Sequence, residues 1–417
     1  MKEKKLFYGW VVVAACCIVM ATTMGIVSNC NSLFIKPICD DLGVSRQSVS
    51  TMLSLMSRGS MAASFFAGKI FNENNIVRIM RLAILLMVAA YFANSFASNI
   101  YLLYVTYLLN GIAMCLVTIL PMTFLINNWF TDKVGLALGL ASMGSGFGGA
   151  IFNALAGQLI TNMGWRNTYR ILAIVMAVLA IPCIFLFLKL RPEEMGLVPY
   201  TDPKLHERDE KTEADRSVRS PRTGYTYREA RKMPIYWIIA VIAVLLGVCM
   251  NVMYSSISPH LQDKGYSLVF SANFMSVGML AMAAGKIVLG RLFDRFGIRI
   301  AFCWACLTLA LALLGLWMCR FTPMLGLVVL GIAFGCIFGA VVFPMSIPGI
   351  FGKKDYRAIM GPYSRMISLG GVFAPIFSGR MYDTFGSYDI AYIVCLAIMA
   401  AVIAVLWIKL PKKDRQF

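Results

Sequence analysis

Residues 290–297 read GRLFDRFG, and residues 379–386 read GRMYDTFG. Two weaker copies lie upstream, GKIFNENN at 68–75 and GQLITNMG at 157–164. The first and third copies start 222 residues apart, as do the second and fourth. The first and second start 89 apart, as do the third and fourth. Two matched intervals describe a chain of two halves, each made of two shorter units.

The composition says what medium those units occupy. Of 417 residues, 59% are hydrophobic and 14% charged, against about 25% charged in soluble domains. Apolar runs of the length that crosses a bilayer, about twenty residues, recur throughout. They lie near 7–30, 46–70, 77–97, 100–127, 134–160 and 168–189, then near 234–258, 267–290, 299–319, 323–350, 357–381 and 387–409. The reading is an all-α membrane protein of twelve transmembrane helices in two six-helix bundles, each of two three-helix repeats. Residues 1–190 form the first bundle, 191–233 a linker and 234–417 the second. Nested repeats of this kind mark secondary transporters that rock two bundles around a central site.

The net charge of +18 belongs to topology rather than to nucleic acid, because the cations sit in short connections. With the N-terminus cytoplasmic, 28 Lys and Arg fall on the inner side and seven on the outer. Both termini and the linker are therefore expected in the cytoplasm of a cell-membrane protein. The first run follows MKEKK without a small-residue cleavage site and reads as a retained helix. The linker contains KLHERDEKTEADRSVRSPRTG, too polar to bury a core; it is a tether or a regulatory segment. The twelve cysteines lie almost all in apolar runs, where a free thiol packs as a small hydrophobe. Cys303 and Cys306 form a C-x-x-C in the ninth run and read as packing rather than redox or metal chemistry.

Three cations fall inside the runs: Arg58 in the second, Lys286 in the eighth, within SVGMLAMAAGKIVLG (276–290), and Arg365 in the eleventh. Intramembrane charge is costly unless something answers it. Lys286 lies one turn, roughly 6 Å, before Gly290, so it either snorkels or faces a cavity. Arg365 lies some eight residues into its helix, roughly 12 Å along the axis, beside Gly361 and Ser364. Arg58 pairs with a polar residue of another helix, lines a cavity or holds an outer gate. No acid lies in the run interiors to neutralise these cations, so a bound anion would. Asn29, Asn31, Asn110, Asn251 and Tyr254 are polar candidates that either donate to that anion or bond between helices. Glycines at 135, 139, 144, 148, 149, 331, 335 and 339 suit tight packing, and Pro344 and Pro348 suit a bend in the tenth helix.

In the motif copies, glycines Gly68 and Gly290 permit close helix approach and sharp reversal. Asp294 with Arg291, Arg295 and Arg299 can form a latch at the inner end of the eighth helix, or merely mark positive-inside topology. Asn72 stands where Asp294 stands in the later copy, so a latch there is weaker.

With these residues in view, the sequence resembles the major facilitator superfamily, whose loop motif GRLFDRFGIR is similar to. It resembles most the oxalate:formate antiporter and monocarboxylate transporter branch. The likeness rests on YGWVVVAA from Tyr8, SLFIKPICDDLGVSRQSVS from Ser32, NWFTDKVGLALGLASMGSGFGG from Asn128 and IFGKKDYRAIMGPYSRMISLGGVFAP from Ile350. The resemblance implies one cation in the eighth helix and one in the eleventh for a substrate carboxylate, and Lys286 and Arg365 match in place. The oxalate:formate carriers have arginine then lysine; here the types are exchanged, and the two differ in hydrogen-bonding geometry. The helix-eight carboxylate of some monocarboxylate transporters is missing.

The expected function is a secondary carrier of small organic anions, mono- or short dicarboxylates, working by exchange or proton-linked symport. Its partners are the substrate anion, a proton or counter-anion, and the lipid bilayer, with no nucleic acid. The alternatives are an exporter of drug-like or amphipathic compounds, given 27 Met and 27 Phe, and a transporter-like receptor signalling through the linker. GLASMGSGFGG lacks the proline of the drug-exporter motif. No P-loop, nucleophile triad or metal-ligand cluster stands in the sequence, so neither an enzyme, a metal nor a cofactor is expected.

Overall fold

The computed structural model describes residues 7–71, 75–198, 200, 224–352 and 354–410. Hydrocarbon offers the backbone no hydrogen bonds, so an apolar chain closes its own as helix. Among the described residues nine stretches are long and apolar enough to cross a membrane. Large side chains such as Leu82, Tyr101, Val178, Ile287 and Ile408 stand exposed on them, as lipid-facing surface requires.

The helices in chain order are α1 (Tyr8–Thr22), α2 (Asn31–Leu42), α3 (Arg46–Ile70), α4 (Ile76–Ala93), α5 (Ile100–Val117), α6 (Ile119–Trp129) and α7 (Val134–Pro182). After the linker come α8 (Tyr227–Lys232), α9 (Pro234–Asp263), α10 (Leu268–Trp317), α11 (Leu325–Gly335), α12 (Phe343–Phe351), α13 (Tyr356–Phe385) and α14 (Asp389–Lys409). A π-helical turn, Thr23–Ser28, follows α1. Gly164 breaks α7 and Gly297 breaks α10, each with φ of 78°. Both are the last residue of a motif copy, and Gly386, the last of another, caps α13 with φ of 70°.

This placement corrects the reading of Gly290 as a helix end. α10 runs on through it, and a Cβ there would meet nothing within 4 Å. The left-handed glycine that ends the motif makes the reversal, not the one that opens it. Pro344 likewise does not bend a continuous helix. α11 stops at Gly335, a π-turn spans Phe338–Val342, and Pro344 sits in the first turn of α12, where its missing N–H costs nothing.

The chain divides into two compact units: residues 1–30, 58–152 and 163–219, and residues 31–57, 153–162 and 220–417. In the first, Gly144 and Gly148 lie against the backbone of Cys17 and Ala21, and Gly25 against Gly148. Gly135 and Gly139 touch nothing, so only part of that glycine series packs. The hydroxyls of Tyr107 and Tyr169 bond at 2.8 Å in the buried interior. Phe7, Trp10, Trp129, Phe130 and Tyr200 form an aromatic knot.

In the second unit, α9 and α13 approach through Gly247 and Gly370, where a Cβ on either would collide with the other helix's backbone. Gly285 meets Ala333, and Gly331 and Gly335 meet α10, while Gly339 faces open space. Cys303 and Cys306 are buried free thiols. α9 and α14 share a linker end, where α9 begins and α14 stops. At the far end Lys264 pairs with Asp389 at 3.0 Å.

The glycine contacts separate two outcomes. Gly370→Val overpacks a backbone contact and should destabilise by about 1–3 kcal/mol. Gly139→Ala adds a methyl in open space within a helix and should stabilise by about 0.5–1 kcal/mol. Thermal unfolding of the purified variants, followed by tryptophan fluorescence, checks both signs.

Candidate functional site

α13 is two-sided. Ile359, Tyr363, Gly370 and Ala374 are buried, and the Tyr363 hydroxyl donates to the Tyr236 carbonyl of α9 at 3.0 Å. Gly361, Ser364, Arg365 and Ser368 recur at the spacing of one helical face, and Ser364, Arg365 and Ser368 are exposed. Arg365 Nε–H donates to the Gly361 carbonyl at 3.4 Å, which holds the guanidinium along that face. Farther along, Gly371 lies beside Ser57 and Asn251. A Cβ there would stand 3.2 Å from Ser57 Oγ and 3.5 Å from Asn251 Oδ1. Polar side chains on membrane helices turn to protein or water rather than to lipid, and this stripe is the polar, exposed face of α13.

Lys286 lies on α10, half-buried. Met279, Met282 and Lys286 are three and four residues apart and share a face. The Tyr254 hydroxyl of α9 reaches Met279 Sδ at 3.4 Å and Met282 Sδ at 3.9 Å. That face therefore looks toward α9, while Val277, Leu280, Ile287 and Val288 form the exposed apolar stripe. Among the described residues no hydrogen bond or ion pair answers the ammonium. Because α10 continues to Gly297, Lys286 lies eleven residues, roughly 16 Å, from the helix break. The short snorkelling route reckoned from Gly290 does not exist.

Asn251 donates its amide N–H to the Gly247 carbonyl at 2.8 Å, leaving Oδ1 toward Gly371. Asn31 is buried, with Nδ2 3.7 Å from Met56 Sδ. In the first unit, Asn29 donates to the Ser145 carbonyl at 3.0 Å, the helix-to-helix use of an amide. Asn110 is buried there with both amide atoms unbonded. Arg58, midway along α3, is exposed and among the described residues has no hydrogen bond or ion pair.

Gly68 lies near the end of α3, and Asn72 falls outside the described residues. Arg291 is exposed. Arg295 lies over the Phe296 ring at 5.3 Å. Arg299 donates to the Leu410 carbonyl at 2.9 Å and covers Trp407. Arg299 thus fastens the end of α14. The Asp294 side chain lies outside the described set.

A cluster at the far end of the second unit was not singled out from sequence. Asp263 takes Lys36 at 3.2 Å and the nearly buried Arg46 at 3.1 Å. Asp383, inside GRMYDTFG, accepts the backbone N–H of Arg46 and of Gln47, each at 2.9 Å. A carboxylate at a helix N-terminus answers both the free N–H groups and the helix dipole. Arg46 also lies 4.9 Å over the Tyr382 ring. His260 Nε2 bonds the Leu316 carbonyl at 2.9 Å, 3.9 Å from Asp389. The motif aspartate and the bare start of α3 were the signals available.

The packing also repeats. Gly379 lies against the Arg46 carbonyl and the Gln47 Cα, at 3.0 and 2.7 Å from its would-be Cβ. Gly157 lies against the Leu268 carbonyl and the Val269 Cα, both 3.7 Å. Leu268 and Val269 stand 222 residues after Arg46 and Gln47, as Gly379 stands 222 after Gly157.

Comparison with known proteins agrees with this architecture. Residues 11–347 match the sequence profile of the Major Facilitator Superfamily. Monocarboxylate transporter 12 of Rattus norvegicus is 25% identical over 410 residues, covering 93% of this chain and 82% of that one. Monocarboxylate transporter 11 of Homo sapiens is 24% identical over 400 residues, covering 93% and 79%. Among solved structures, a bacterial homologue of the human lysosomal transporter Spinster, inward-facing and unoccupied, superposes with a TM-score of 0.70. It shares 15% identity, with 97% of each chain covered, a likeness of fold. The chain is an integral, multi-pass membrane transporter that belongs to the Major Facilitator Superfamily and resembles its monocarboxylate branch.

Proposed function

We propose that this transporter carries small organic anions, monocarboxylates or short dicarboxylates, by alternating access. The observation that carries the proposal is Lys286, on the α9-facing side of apolar α10, whose ammonium no hydrogen bond or ion pair answers among the described residues, with Arg365 a second cation exposed on α13. A substrate carboxylate answers that ammonium. Arg365 offers a planar fork and Lys286 a point charge, with Ser364, Ser368 and the Asn251 oxygen as neighbouring polar groups. Arg58 is an exposed cation on α3. The relatives' name, monocarboxylate transporter, supports the substrate class. Tyr254 against Met279 and Met282 favours a second reading, export of amphipathic compounds.

In this proposal twelve helices form two six-helix bundles, residues 1–190 and 234–417, each of two repeats. The breaks at Gly164 and Gly297 and the contacts echoed 222 residues apart support it. The linker, 191–233, and both termini lie in the cytoplasm of a cell-membrane protein, the far end facing outward. The Lys36–Asp263–Arg46 pairs and the Asp383 cap then close the outer side and must break for substrate to enter there. Without an embedded acid, exchange of like charges or proton movement with the substrate offsets the cost of moving charge, about 2.3 kcal/mol per 100 mV.

Three measurements test the proposal. Removing one partner of a buried charge pair costs about 2–5 kcal/mol, so Lys286→Gln and Arg365→Gln should each weaken carboxylate binding by about thirtyfold or more. Binding and counterflow in well-folded protein read this, and unchanged affinity in both refutes the clamp. Asp383→Asn should open the outer side. Losing charge-assisted bonds of about 1.5–3 kcal/mol should raise labelling of buried Cys39 by an impermeant maleimide about tenfold or more, scored against a Cys39→Ser control. Unaltered labelling denies the latch. Reporters within 205–220 and at the C-terminus should both be cytoplasmic, and either one outside overturns the topology.

A further inference from the structure

Between α9 and α14 lies an apolar groove of about 380 Å³, lined by residues that include Trp237, Val241, Leu245, Ala401 and Val405. It opens at the bundle surface, where Trp237 is 50% and Val241 58% exposed. From Trp237 to Leu245 it follows α9 for roughly 12 Å, a span suited to an extended hydrocarbon chain. Its linker end is basic and aromatic. The Arg231 guanidinium stands 6.0 Å from the Trp237 ring and 5.7 Å from the Tyr227 ring, and Trp237 Nε1–H donates to the Arg231 carbonyl at 3.0 Å. These contacts place the guanidinium beside Trp237, at the linker end of the groove. Lys232 is its exposed neighbour. On α14, Lys409 follows Ala401 and Val405 at intervals of four, which brings it to the same face, and it is exposed. α8, which carries Arg231, is held by a capping box between Thr226 and Glu229. Hydrogen bonds from Thr226 lower the Glu229 carboxyl below its usual range, which keeps the box charged and α8 in place at neutral pH.

We infer that this groove is a binding site for one anionic phospholipid, its acyl chain between α9 and α14 and its phosphate among Arg231, Lys232 and Lys409. The apolar lining recognises any acyl chain. Three cations at one end of it select a net negative headgroup over a zwitterionic one. Trp237 at the junction matches the interfacial preference of indole rings.

The test uses the full-length protein in bilayers containing phosphatidylglycerol or phosphatidylcholine with a nitroxide on the acyl chain. The difference between the native protein and Trp237→Phe isolates quenching of Trp237. Labelled phosphatidylglycerol should quench at a lower mole fraction than labelled phosphatidylcholine, with about fivefold preference for each cation engaged. Arg231→Gln and Lys409→Gln, both at exposed positions, should each remove about one such factor. Ala401→Phe fills the groove and should abolish the preference. Equal quenching by the two lipids in the native protein overturns the site and leaves ordinary annular contact. A dimer that Ala401→Phe dissociates, with no lipid preference, overturns it in favour of a second copy of the chain.

Discussion

Hydrocarbon supplies no hydrogen bonds and little dielectric screening, so every polar group in this chain must be answered by protein, water or ligand. The backbone answers itself as helix. Side-chain amides such as Asn29 answer a neighbouring helix's carbonyl. Helix starts need their own answer, and α3 finds one in Asp383. Lys286 is the group for which the helices supply least, with no hydrogen bond or ion pair among the described residues. On α13, Ser364, Arg365 and Ser368 are exposed on one face of a helix whose other face is buried. The proposed substrate anion is the answer to that ammonium.

Much of the fold could be read from the sequence because its determinants are local. α3 begins and ends where its apolar run does, Arg46–Ile70. The four motif copies are legible as a pattern because each is a short local stretch. What could not be read was which glycine does what. Gly290 and Gly297 bound the same motif, yet only Gly297 takes a left-handed φ. Gly139 and Gly144 share a helix and a residue type, yet only Gly144 meets a backbone. Close approach depends on a neighbour set by the tertiary fold, and a single sequence does not carry that neighbour's position.

The candidate site divides in the same way. A charge in an apolar run is visible one residue at a time, which is why Lys286, Arg365 and Arg58 stood out. The orientation of Lys286 was not visible, since it depends on where α10 stops and on Tyr254 lying against Met279 and Met282. The far-end cluster was invisible as a cluster. Asp263 lies 217 residues from Arg46 in sequence, and Asp383 lies 337 away. In the sequence each is a single charge, and their meaning appears only when the ends are brought together.

That cluster has a property that side-chain pairs lack. Asp383 binds the N–H groups of a helix start, so the contact depends on where α3 begins rather than on which residues begin it. Substituting Arg46 removes its pair with Asp263 but leaves the capped N–H groups. Each charge-assisted bond contributes about 1.5–3 kcal/mol at most, and solvent at this end reduces that. In the proposed cycle this is the useful range. A latch much stronger than the binding free energy of a small anion would hold one state permanently, because a ligand shifts an equilibrium only by its differential affinity for the two states. In that cycle two bonds to a helix start, together with part-buried ion pairs, hold the outer side closed while remaining within reach of a single bound carboxylate.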